Sequence, residues 1–248
     1  MQILICIDDT DNLESKGTGE LALRYSTVIE ENGWGKTTAI SRHQLFVHPA
    51  VPYTSHNSAM CFGAEIIENS LEQIIAFGEE FLSQNSAPGS DPGLCVAVLD
   101  RLKYPEQLIE FGRQAKKSIC SKKEAYSLAS RDPGIHLSEH GGTGDGVIGA
   151  LAGTGLRLSG SDGRIKGKYF QGCAGKVLTV ASILAQTNIE EIRAEDGLLL
   201  GPEEKVLLGE KVKSVLLNGK IVLPVEINTA TAGGARWATL SREKIRKF

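Results

Sequence analysis

The fold of this chain is decided close to its start, where residues 2–11 read QILICIDDTD. The apolar run Gln2–Ile7 has the length of a buried strand, and the aspartates that follow end it abruptly. The run is too short for a signal peptide or a membrane span. We therefore predict a first strand over Gln2–Ile7 with a cluster of carboxylates at its carboxyl end.

Five further elements are predicted before residue 100. Apolar residues at helical spacing predict helices over Glu20–Asn32 and Leu71–Ser83. β-Branched or apolar runs predict strands over Thr37–Val47, Ala59–Ile67 and Gly93–Leu99. With the first strand, the order is β-α-β-β-α-β, which is the ferredoxin-like pattern.

The rest of the chain changes character twice. Pro105–Ser130 predicts one or two helices. Thirteen of the 28 glycines then lie within residues 134–175, where the backbone must adopt unusual torsions or approach another group closely. Beyond them, Val177–Ile192 predicts a helix, and Leu216–Val222, with its central Asn-Gly, predicts a type I′ hairpin.

The composition is that of a soluble globular protein, with 248 residues, 41% hydrophobic, 23% charged and a net charge of −3. It excludes disorder, a fibre and a generally basic nucleic-acid-binding surface. The five cysteines include no C-x-x-C pair, so neither a zinc ribbon nor a disulfide framework is supported, and a reducing cytoplasm fits.

We predict an α+β protein, with a ferredoxin-like portion and Gly-rich loop-helix in residues 1–160 and a small β-rich portion in residues 161–248.

Three carboxylates, Asp8, Asp9 and Asp11, stand within four residues directly after the first strand. Such crowding costs stability unless a cation or hydrogen-bond donors compensate for it. Oxygen ligands of this kind suit Mg²⁺, which in turn suits phosphate, whereas the alternative is an exposed acidic turn. The Asp9-x-Asp11 pair also resembles that of haloacid-dehalogenase-type phosphotransferases, but those need a doubly wound parallel sheet.

Two Gly-rich segments are candidate anion sites. Thr18, at the start of the second element, either caps the helix or contacts a phosphoryl group, because free amides at a helix start favour anions. A second loop runs straight into an apolar helix and predicts a phosphate cradle, with a flexible turn as the alternative. The cradle residues are Gly141, Gly142, Thr143, Gly144, Asp145 and Gly146.

Two weaker patterns overlap the second loop. Gly144-x-Gly146-x-x-Gly149 matches the dinucleotide fingerprint, but residues 132–136 do not predict the strand of a βαβ unit, so a Rossmann interpretation fails. His136-x-x-Glu139-His140 matches the zinc pattern of inverzincins, which lies on a long helix, whereas glycines and a proline bracket this segment closely.

Together these motifs resemble the amino-terminal part of archaeal tRNA 2-agmatinylcytidine synthetase, the enzyme that modifies an isoleucine tRNA. The resemblance covers residues 1–157 and rests on four segments of matching order and approximate spacing: Ile7–Asp11, His48–Tyr53, Asp91–Gly93 and Gly144–Ala152. It implies a kinase-like catalytic region with a ferredoxin-like part, in which ATP and Mg²⁺ activate a cytidine carbonyl oxygen by phosphoryl transfer.

The resemblance also implies roles for particular residues. Asp8, Asp9 and Asp11 would hold the metal and phosphates, Thr18 would lie near the nucleotide, and the 141–149 loop would line the same site. His56 and Asn57 form a polar linker that either reaches this site or solvates a turn, and Asn57 is included among the cofactor-binding candidates. We expect neither the OB-fold nor the zinc ribbon of the family, since the chain has no paired cysteines for the ribbon. Residues 54–58 lack the Lys and Arg that the family tends to have, which weakens phosphate and tRNA binding.

The predicted function is therefore a cytoplasmic, ATP- and Mg²⁺-dependent phosphoryl-transfer or ligase-type enzyme. Its partners are a nucleotide and an acceptor that is a small molecule or an RNA, with no membrane. The alternative is a non-catalytic module that holds a small ligand or partner in the Gly-rich cleft. In the enzyme, Asp8, Asp9 and Asp11 would face the 141–149 loop across one cleft, so that Mg²⁺ bridges carboxylates and phosphate oxygens.

Overall fold

The structure is a computed structural model that describes residues 1–51, 57–167, 169–229 and 234–248. The chain divides into two compact units, Met1–Ser159 and Gly160–Phe248. Within the described ranges, every helix is too short or too polar to cross a bilayer.

The first unit is built on an antiparallel sheet. Its described strands are β1 (Gln2–Asp8), β2 (Gly35–Thr37), β3 (Ser41–Gln44), β4 (Ser58–Ile66), β5 (Gly93–Val98) and β6 (Ile135–Glu139). Its described α-helices are α1 (Thr18–Glu31), α2 (Leu71–Asn85), α3 (Pro105–Ala115), α4 (Lys122–Ala129) and α5 (Gly146–Leu158). The strand order is β6-β5-β1-β4-β3, with β2 pairing farther along β4, and each of these pairs is antiparallel.

This arrangement confirms the predicted fold class. The strands β5, β1, β4 and β3 lie side by side in the ferredoxin-like order, and α1 and α2 are the two helices of the β-α-β-β-α-β unit. The predicted strand over Thr37–Val47 is split into β2 and β3. Between them, the Thr38 hydroxyl accepts a hydrogen bond from the Gly63 amide at 2.9 Å, so a side chain replaces part of the backbone ladder.

Strand β1 is buried on both faces because helices cover both sides of the sheet. Its residues Ile3, Ile5 and Ile7 pack in one apolar cluster with α1 and α2. Leu4 and Cys6 point the other way, into a second cluster with α3, α4 and α5. Burial on both faces explains why the strand is apolar at every position rather than at alternate ones.

Three buried cysteines form a row across the sheet beneath α5. Cys6 lies opposite Cys61 on β4 and Cys95 on β5, and all three are free thiols. Gly153 of α5 passes directly above, since a Cβ there would come within 2.6 Å of the Cys6 sulfur. The thiols serve as small apolar side chains that let the helix approach the sheet closely.

One of the two helix predictions beyond residue 100 is confirmed and the other is wrong. Pro105–Ser130 forms two helices, and the second begins at a capping box in which Ser121 and Glu124 satisfy each other's backbone amides. The helix predicted over Val177–Ile192 is wrong, because only a short helix forms within that range. The Thr179 hydroxyl starts it by accepting a hydrogen bond from the Ser182 amide, and the residues on either side enter strands.

The second unit is β-rich, as predicted. Its described elements are β7 (Arg164–Ile165), β8 (Val177–Thr179), α6 (Val180–Ala185), β9 (Glu191–Ala194), β10 (Lys205–Leu207), β11 (Val215–Leu217), β12 (Lys220–Ile227) and β13 (Trp237–Thr239). The strands follow the order β7-β11-β12-β13-β10-β8, with β9 parallel to β12. The predicted hairpin joins β11 to β12, and its turn residues Asn218 and Gly219 have φ of 52° and 77°, as a type I′ turn requires.

Candidate functional site

The antiparallel order of the first unit brings three of the sequence motifs to one edge of the sheet. Asp8, at the end of β1, lies opposite Gly93, at the start of β5. Gly93 in turn lies opposite Glu139, at the end of β6. The Asp-rich turn, the segment Asp91–Gly93 and the Gly-rich loop that follows β6 therefore emerge side by side.

The side chain of Asp8 is buried beneath helix α5. It is 8% exposed, and a Cβ at Gly149 would overlap its carboxylate. One turn earlier in α5, the backbone of Gly146 packs against Gly93. A Cβ on Gly93 would overlap the Gly146 carbonyl. These glycines let the helix approach the end of β1 closely enough to bury a carboxyl group.

Burial and neighbouring charge disfavour the ionised form of Asp8. Burial is the largest cause and the charges of Asp9 and Asp11 add to it, which together raise the pKa of Asp8 to about 8. A hydrogen bond from the Asp9 backbone amide opposes this rise. Near neutral pH such a group takes up a proton unless a cation compensates its charge.

Asp9 is held in the left-handed region, with a φ of 49°. Burial, followed by the charges of Asp91 and Asp11, raises its pKa to about 6, and Asp145 contributes more weakly. The Asp91 backbone amide donates a hydrogen bond to the Asp9 carboxylate and opposes the rise. Carboxylates from three separate segments of the chain thus crowd around one strained residue.

The Gly-rich loop is tied to these carboxylates by direct hydrogen bonds. The Thr143 amide donates to Asp91 Oδ1 at 2.7 Å and its hydroxyl donates to Asp91 Oδ2 at 2.5 Å. Lys122 Nζ donates to Glu139 Oε2 at 2.8 Å and to the Thr143 carbonyl at 2.6 Å. The path of the loop is therefore set by the protein's own contacts.

Glycine is required at two places in this loop. Gly142 has a φ of 56° and Gly144 a φ of 77°, both in the region that favours glycine. A Cβ at Gly142 would overlap the Asp91 carboxylate, and one at Gly144 would overlap the Glu139 carboxylate. At both positions the absence of a side chain lets the backbone approach a carboxylate closely, as the glycine content of this segment predicted.

The loop also offers hydrogen-bond donors. Among the described residues, the amides of Gly142 and Asp145 have no hydrogen-bond acceptor. Asp145 occupies the N-cap position of α5, but its side chain makes no capping hydrogen bond. The positive end of the helix dipole therefore faces the carboxylate cluster, and an anion at this point would meet unused amides.

Asp11 and Thr18 lie at the start of α1. The Asp11 Oδ2 atom is 3.5 Å from the point where a Cβ of Gly17 would stand, and Gly17 is the N-cap of α1. Thr18 is the first residue of that helix and is buried. Asp8 and Asp9 thus lie with the Gly-rich loop, and Asp11 links them to the start of α1.

Asn57 lies just before β4, which begins at the same edge of the sheet because Ile7 pairs with Met60. Its side-chain amide donates to the Phe46 carbonyl at 2.8 Å, and its own carbonyl accepts from the Leu45 amide at 2.9 Å. These bonds close the connection between β3 and β4. The neighbouring positions 52–56, which include His56 and part of the His48–Tyr53 segment, lie outside the described residues.

The zinc pattern of the second loop is not on a helix. Residues 135–139 form strand β6, which was not among the predicted elements and which pairs antiparallel with β5. His136 Nε2 bonds with Glu79 Oε1 at 3.0 Å, while Glu139 bonds with Lys122. An antiparallel edge strand does not make a βαβ unit, so the Rossmann interpretation still fails.

Within the described residues, no three His, Cys, Asp or Glu side chains form a ready-made metal site. Mg²⁺ nevertheless fits the carboxylate cluster, because it is bound through one or two carboxylates together with substrate phosphates rather than by an all-protein cage. Burial and the neighbouring carboxylates raise the pKa of Asp8, so a cation bound here would favour its ionised form. The residues present therefore fit Mg²⁺ that arrives with a phosphate.

Sequence reasoning missed three residues that build this edge: Asp91, Lys122 and Glu139. Asp91 belongs to one of the matching segments but has no predicted role of its own. Glu139 is predicted only as part of a zinc pattern and not as an anchor of the loop. Lys122 precedes Thr143 by 21 positions and carries no local signal. It brings a cation to the loop that is paired with Glu139.

The fold and this edge define the class of protein, an α+β chain with a ferredoxin-like unit and a Gly-rich loop-helix packed over an acidic strand end. Solved structures with this fold include a complex of TiaS with an isoleucine tRNA and ATP, at 24% identity over 62% of this chain and 36% of that chain, with a TM-score of 0.53. They also include apo TiaS, a tRNA agmatidine synthetase, at 23% identity over 62% of this chain and 35% of that chain, with a TM-score of 0.52.

A third such structure is a tRNA fluorescent labeling enzyme, at 24% identity over 62% of this chain and 36% of that chain, with a TM-score of 0.53. The chain spans about a third of the length of the structures it matches. No protein-family model and no curated protein matches the chain. The resemblance predicted from the sequence is thus confirmed at the level of the fold.

The stability of the protein without Mg²⁺ is expected to fall between about pH 5 and about pH 8. Because the folded pKa of Asp8 is about 8 and its usual value is 3.8, the folded state holds a proton that the unfolded state has lost. The stabilisation is complete below the lower pKa and disappears as the pH rises through the upper one, and on the order of 4 kcal/mol of it is lost between pH 5 and pH 8. Asp9 adds to the same trend.

Chemical unfolding of the wild-type protein and of Asp8→Asn at both pH values tests this. The free energy of unfolding of the variant, relative to that of the wild type, should rise from pH 5 to pH 8. His140, whose pKa is lowered chiefly by burial, makes the stability rise with pH instead. Its contribution cancels when the variant and the wild type are compared at the same pH. A constant difference across this pH range would show that Asp8 titrates normally.

Proposed function

We propose that this protein is an ATP- and Mg²⁺-dependent enzyme of the phosphoryl-transfer or ligase type. The observation that carries the proposal is the meeting, at one edge of the sheet, of Asp8 and Asp9 with a Gly-rich loop that opens a helix. A phosphate site needs both parts, since carboxylates alone repel phosphate and amides alone provide no anchor for a metal. The solved structures with the same fold include complexes with ATP and with AMPCPP.

Each residue of the edge has a proposed task. Asp8, Asp9 and Asp11 would hold Mg²⁺ beside the phosphate. The amides of Gly142 and Asp145, with the start of α5, accept the remaining phosphate charge. When bound, Mg²⁺ would neutralise part of the charge on the phosphate oxygens.

The protein's contribution beyond binding is to hold these groups in place before the substrate arrives. The bonds from Thr143 to Asp91 and from Lys122 to the Thr143 carbonyl fix the loop. Helix α5 excludes water from Asp8, which lets its charge act in a medium of lower dielectric constant. Donors fixed in this way need little reorganisation during the reaction, which is how positioning lowers a barrier in phosphoryl transfer.

The acceptor is a small molecule or an RNA. The solved structures with this fold include complexes with an isoleucine tRNA and with agmatine. The net charge of −3 does not favour a broad RNA-binding surface on this chain. We place the reaction in the cytoplasm because the five cysteines are free thiols.

Isothermal titration of ATP into the full chain, with and without Mg²⁺, tests the proposal. We expect binding that depends on Mg²⁺, together with slow release of ADP or AMP on incubation. ATP binding that is unchanged by chelation of the metal would contradict the proposed role of the carboxylates. The absence of any nucleotide binding would instead favour a non-catalytic module that holds another ligand in the cleft.

A further inference from the structure

Four polar side chains on helix α2, on strand β6 and directly after β6 form a chain of hydrogen bonds that the proposed function does not use. Glu79 Oε1 lies 3.0 Å from His136 Nε2, and the same nitrogen lies 3.2 Å from Ser138 Oγ. Ser138 Oγ in turn lies 2.8 Å from His140 Nε2. The histidines and the serine are two positions apart on an extended segment, so their side chains share one face of the sheet.

That face is the one covered by α1 and α2. Leu94 and Val96, which lie opposite Ser138 and His136 on β5, pack in the apolar cluster of these two helices. Asp8 lies on the other face, beneath α5. The chain of hydrogen bonds is therefore separated by the sheet from the proposed metal ligands.

The carboxylate of Glu79 fixes the direction of these hydrogen bonds. A carboxylate only accepts, so His136 Nε2 carries a hydrogen, and this N–H also faces the serine oxygen. The Ser138 hydroxyl then has its own hydrogen free to donate to His140 Nε2, which accepts only when it is unprotonated. The bonds therefore lead from His136 through Ser138 to a neutral His140.

The surroundings of His140 favour this neutral form. Burial is the largest cause of its lowered pKa, which the charge of Glu79 opposes. The charge of His136 lowers the pKa further, and that of Glu139 raises it more weakly. A neutral imidazole within hydrogen-bond reach of a serine hydroxyl is the arrangement that activates serine as a nucleophile. Because Ser138 and both histidines are only partly buried, a small molecule can reach them.

The backbone of β6 supplies a fixed donor beside the serine. This strand lies at the end of the described strand order, with β5 as its neighbour. The His140 amide donates to the Pro92 carbonyl at 2.8 Å, so the amides of alternate residues point toward β5 and those between them point away. The Glu139 amide is one that points away, and it directly follows Ser138. In serine hydrolases, the amide after the nucleophile stabilises the oxyanion that forms on the substrate.

From this geometry we propose that Ser138 is the nucleophile of a second catalytic site, which hydrolyses small esters by acyl transfer. His140 Nε2 takes the hydroxyl proton while Ser138 Oγ bonds to the carbonyl carbon of the ester. The bond from that carbon to the leaving alcohol then breaks, and the alcohol oxygen takes the proton from His140. Water repeats these steps on the acyl-serine, which releases the carboxylic acid and restores the hydroxyl. His136, held by Glu79, is a positioning residue that keeps the serine hydrogen directed at His140.

The test is incubation of the full chain with p-nitrophenyl acetate, without nucleotide or metal. We expect a burst of about one equivalent of p-nitrophenol per chain, followed by slower release, as an acyl-enzyme intermediate requires. Mass spectrometry of the digested chain should place the acetyl group on Ser138. The burst rate should rise with pH through the pKa of His140 and then level off, because only the neutral imidazole accepts the proton.

Substitutions separate the roles of the residues. His140→Gln should slow acetylation of Ser138 by at least about 100-fold, because it removes the base. His136→Ala should slow it by about tenfold, and His136→Gln, which keeps an N–H donor, should restore most of the rate. Ser118→Ala is the matched control for Ser138→Ala, since it removes an exposed serine of the same unit. It should leave the burst unchanged, whereas Ser138→Ala should abolish it.

The mapping on the wild-type chain needs no variant, so it decides even where a variant fails to fold. Acetyl groups found only on lysines, histidines or the amino terminus would overturn the proposal, and so would the absence of a burst. Equal acetylation of Ser138 in the wild type and in His140→Gln would show a serine without a base and would also overturn it. The assay contains no ATP, so its result is independent of the proposed phosphoryl transfer.

Discussion

Asp9→Asn is expected to lower Mg²⁺-dependent ATP turnover by about 100- to 1,000-fold, the range seen when one group that stabilises transition-state charge is removed. The proposed role of Asp9 is to hold Mg²⁺ together with a phosphate oxygen. Its carboxylate accepts a hydrogen bond from the Asp91 amide and lies near Asp91, Asp11 and Asp145. An amide at this position keeps the size and the acceptor oxygen but loses the charge that attracts the metal.

The same substitution is expected to leave the melting temperature unchanged or to raise it. The raised pKa of Asp9, about 6, shows that its ionised form is disfavoured in the folded protein. Relief of like-charge crowding therefore stabilises the fold near neutral pH. The backbone also accepts the change, because asparagine tolerates the left-handed conformation that Asp9 adopts, with a φ of 49°.

Thermal melts without metal and ATP turnover with Mg²⁺ measure the two effects separately. Asp100→Asn serves as the control, since it makes the same chemical change at an exposed position of the first unit. A variant that melts lower and turns ATP over normally would show that Asp9 is structural and has no part in a metal site.

Gly149→Ala is expected to reduce the affinity for ATP and Mg²⁺ by at least about tenfold and to lower the melting temperature by several degrees. Alanine is the better helix former by about 1 kcal/mol, so helix propensity alone would predict a more stable protein. The new methyl group would, however, overlap the buried Asp8 carboxylate. Either the carboxylate or the helix must move, and overpacking of this kind typically costs about 1–3 kcal/mol.

Gly153→Ala is the matched control for Gly149→Ala. It lies one turn farther along α5, and its Cβ would come within 2.6 Å of the Cys6 sulfur and 2.7 Å of the Ala59 Cβ. It should destabilise the fold to a similar degree while ATP binding stays within about twofold of the wild type. Equal loss of ATP binding in both variants would mean that overall destabilisation, rather than the position of Asp8, is responsible.

Several parts of the structure could be predicted because they depend on residues close together in the chain. The apolar run before Asp8 predicted β1, and the order of local periodicities predicted the ferredoxin-like unit. Asn218-Gly219 predicted a type I′ turn because few other residue pairs adopt two consecutive positive φ angles. The crowding of Asp8, Asp9 and Asp11 likewise predicted an electrostatic cost, because charge repulsion between neighbours needs no tertiary structure. The largest cause of the raised pKa of Asp8 and of Asp9 is burial, which the tertiary structure supplies.

Local patterns also failed where neighbouring strands compete with them. The apolar spacing of Val177–Ile192 is compatible with a helix, yet Val177–Thr179 pairs with β10 and Glu191–Ala194 pairs with β12. Only the middle of the segment remains helical. Pairing with distant strands outweighs a helical period when it buries the same apolar side chains.

Local sequence patterns identified the order of the elements in residues 2–99, the acidic strand end and the Gly-rich loop before a helix. That these parts meet depends on the tertiary structure. Thr143 bonds to Asp91 across 52 positions and Lys122 reaches Thr143 across 21, and neither separation leaves a periodic signal in the chain. The antiparallel register of β1, β5 and β6 brings the segments to one edge, and the missing side chain of Gly149 lets α5 close over Asp8. Register and close packing are properties of the whole sheet, because each strand's position depends on its neighbours.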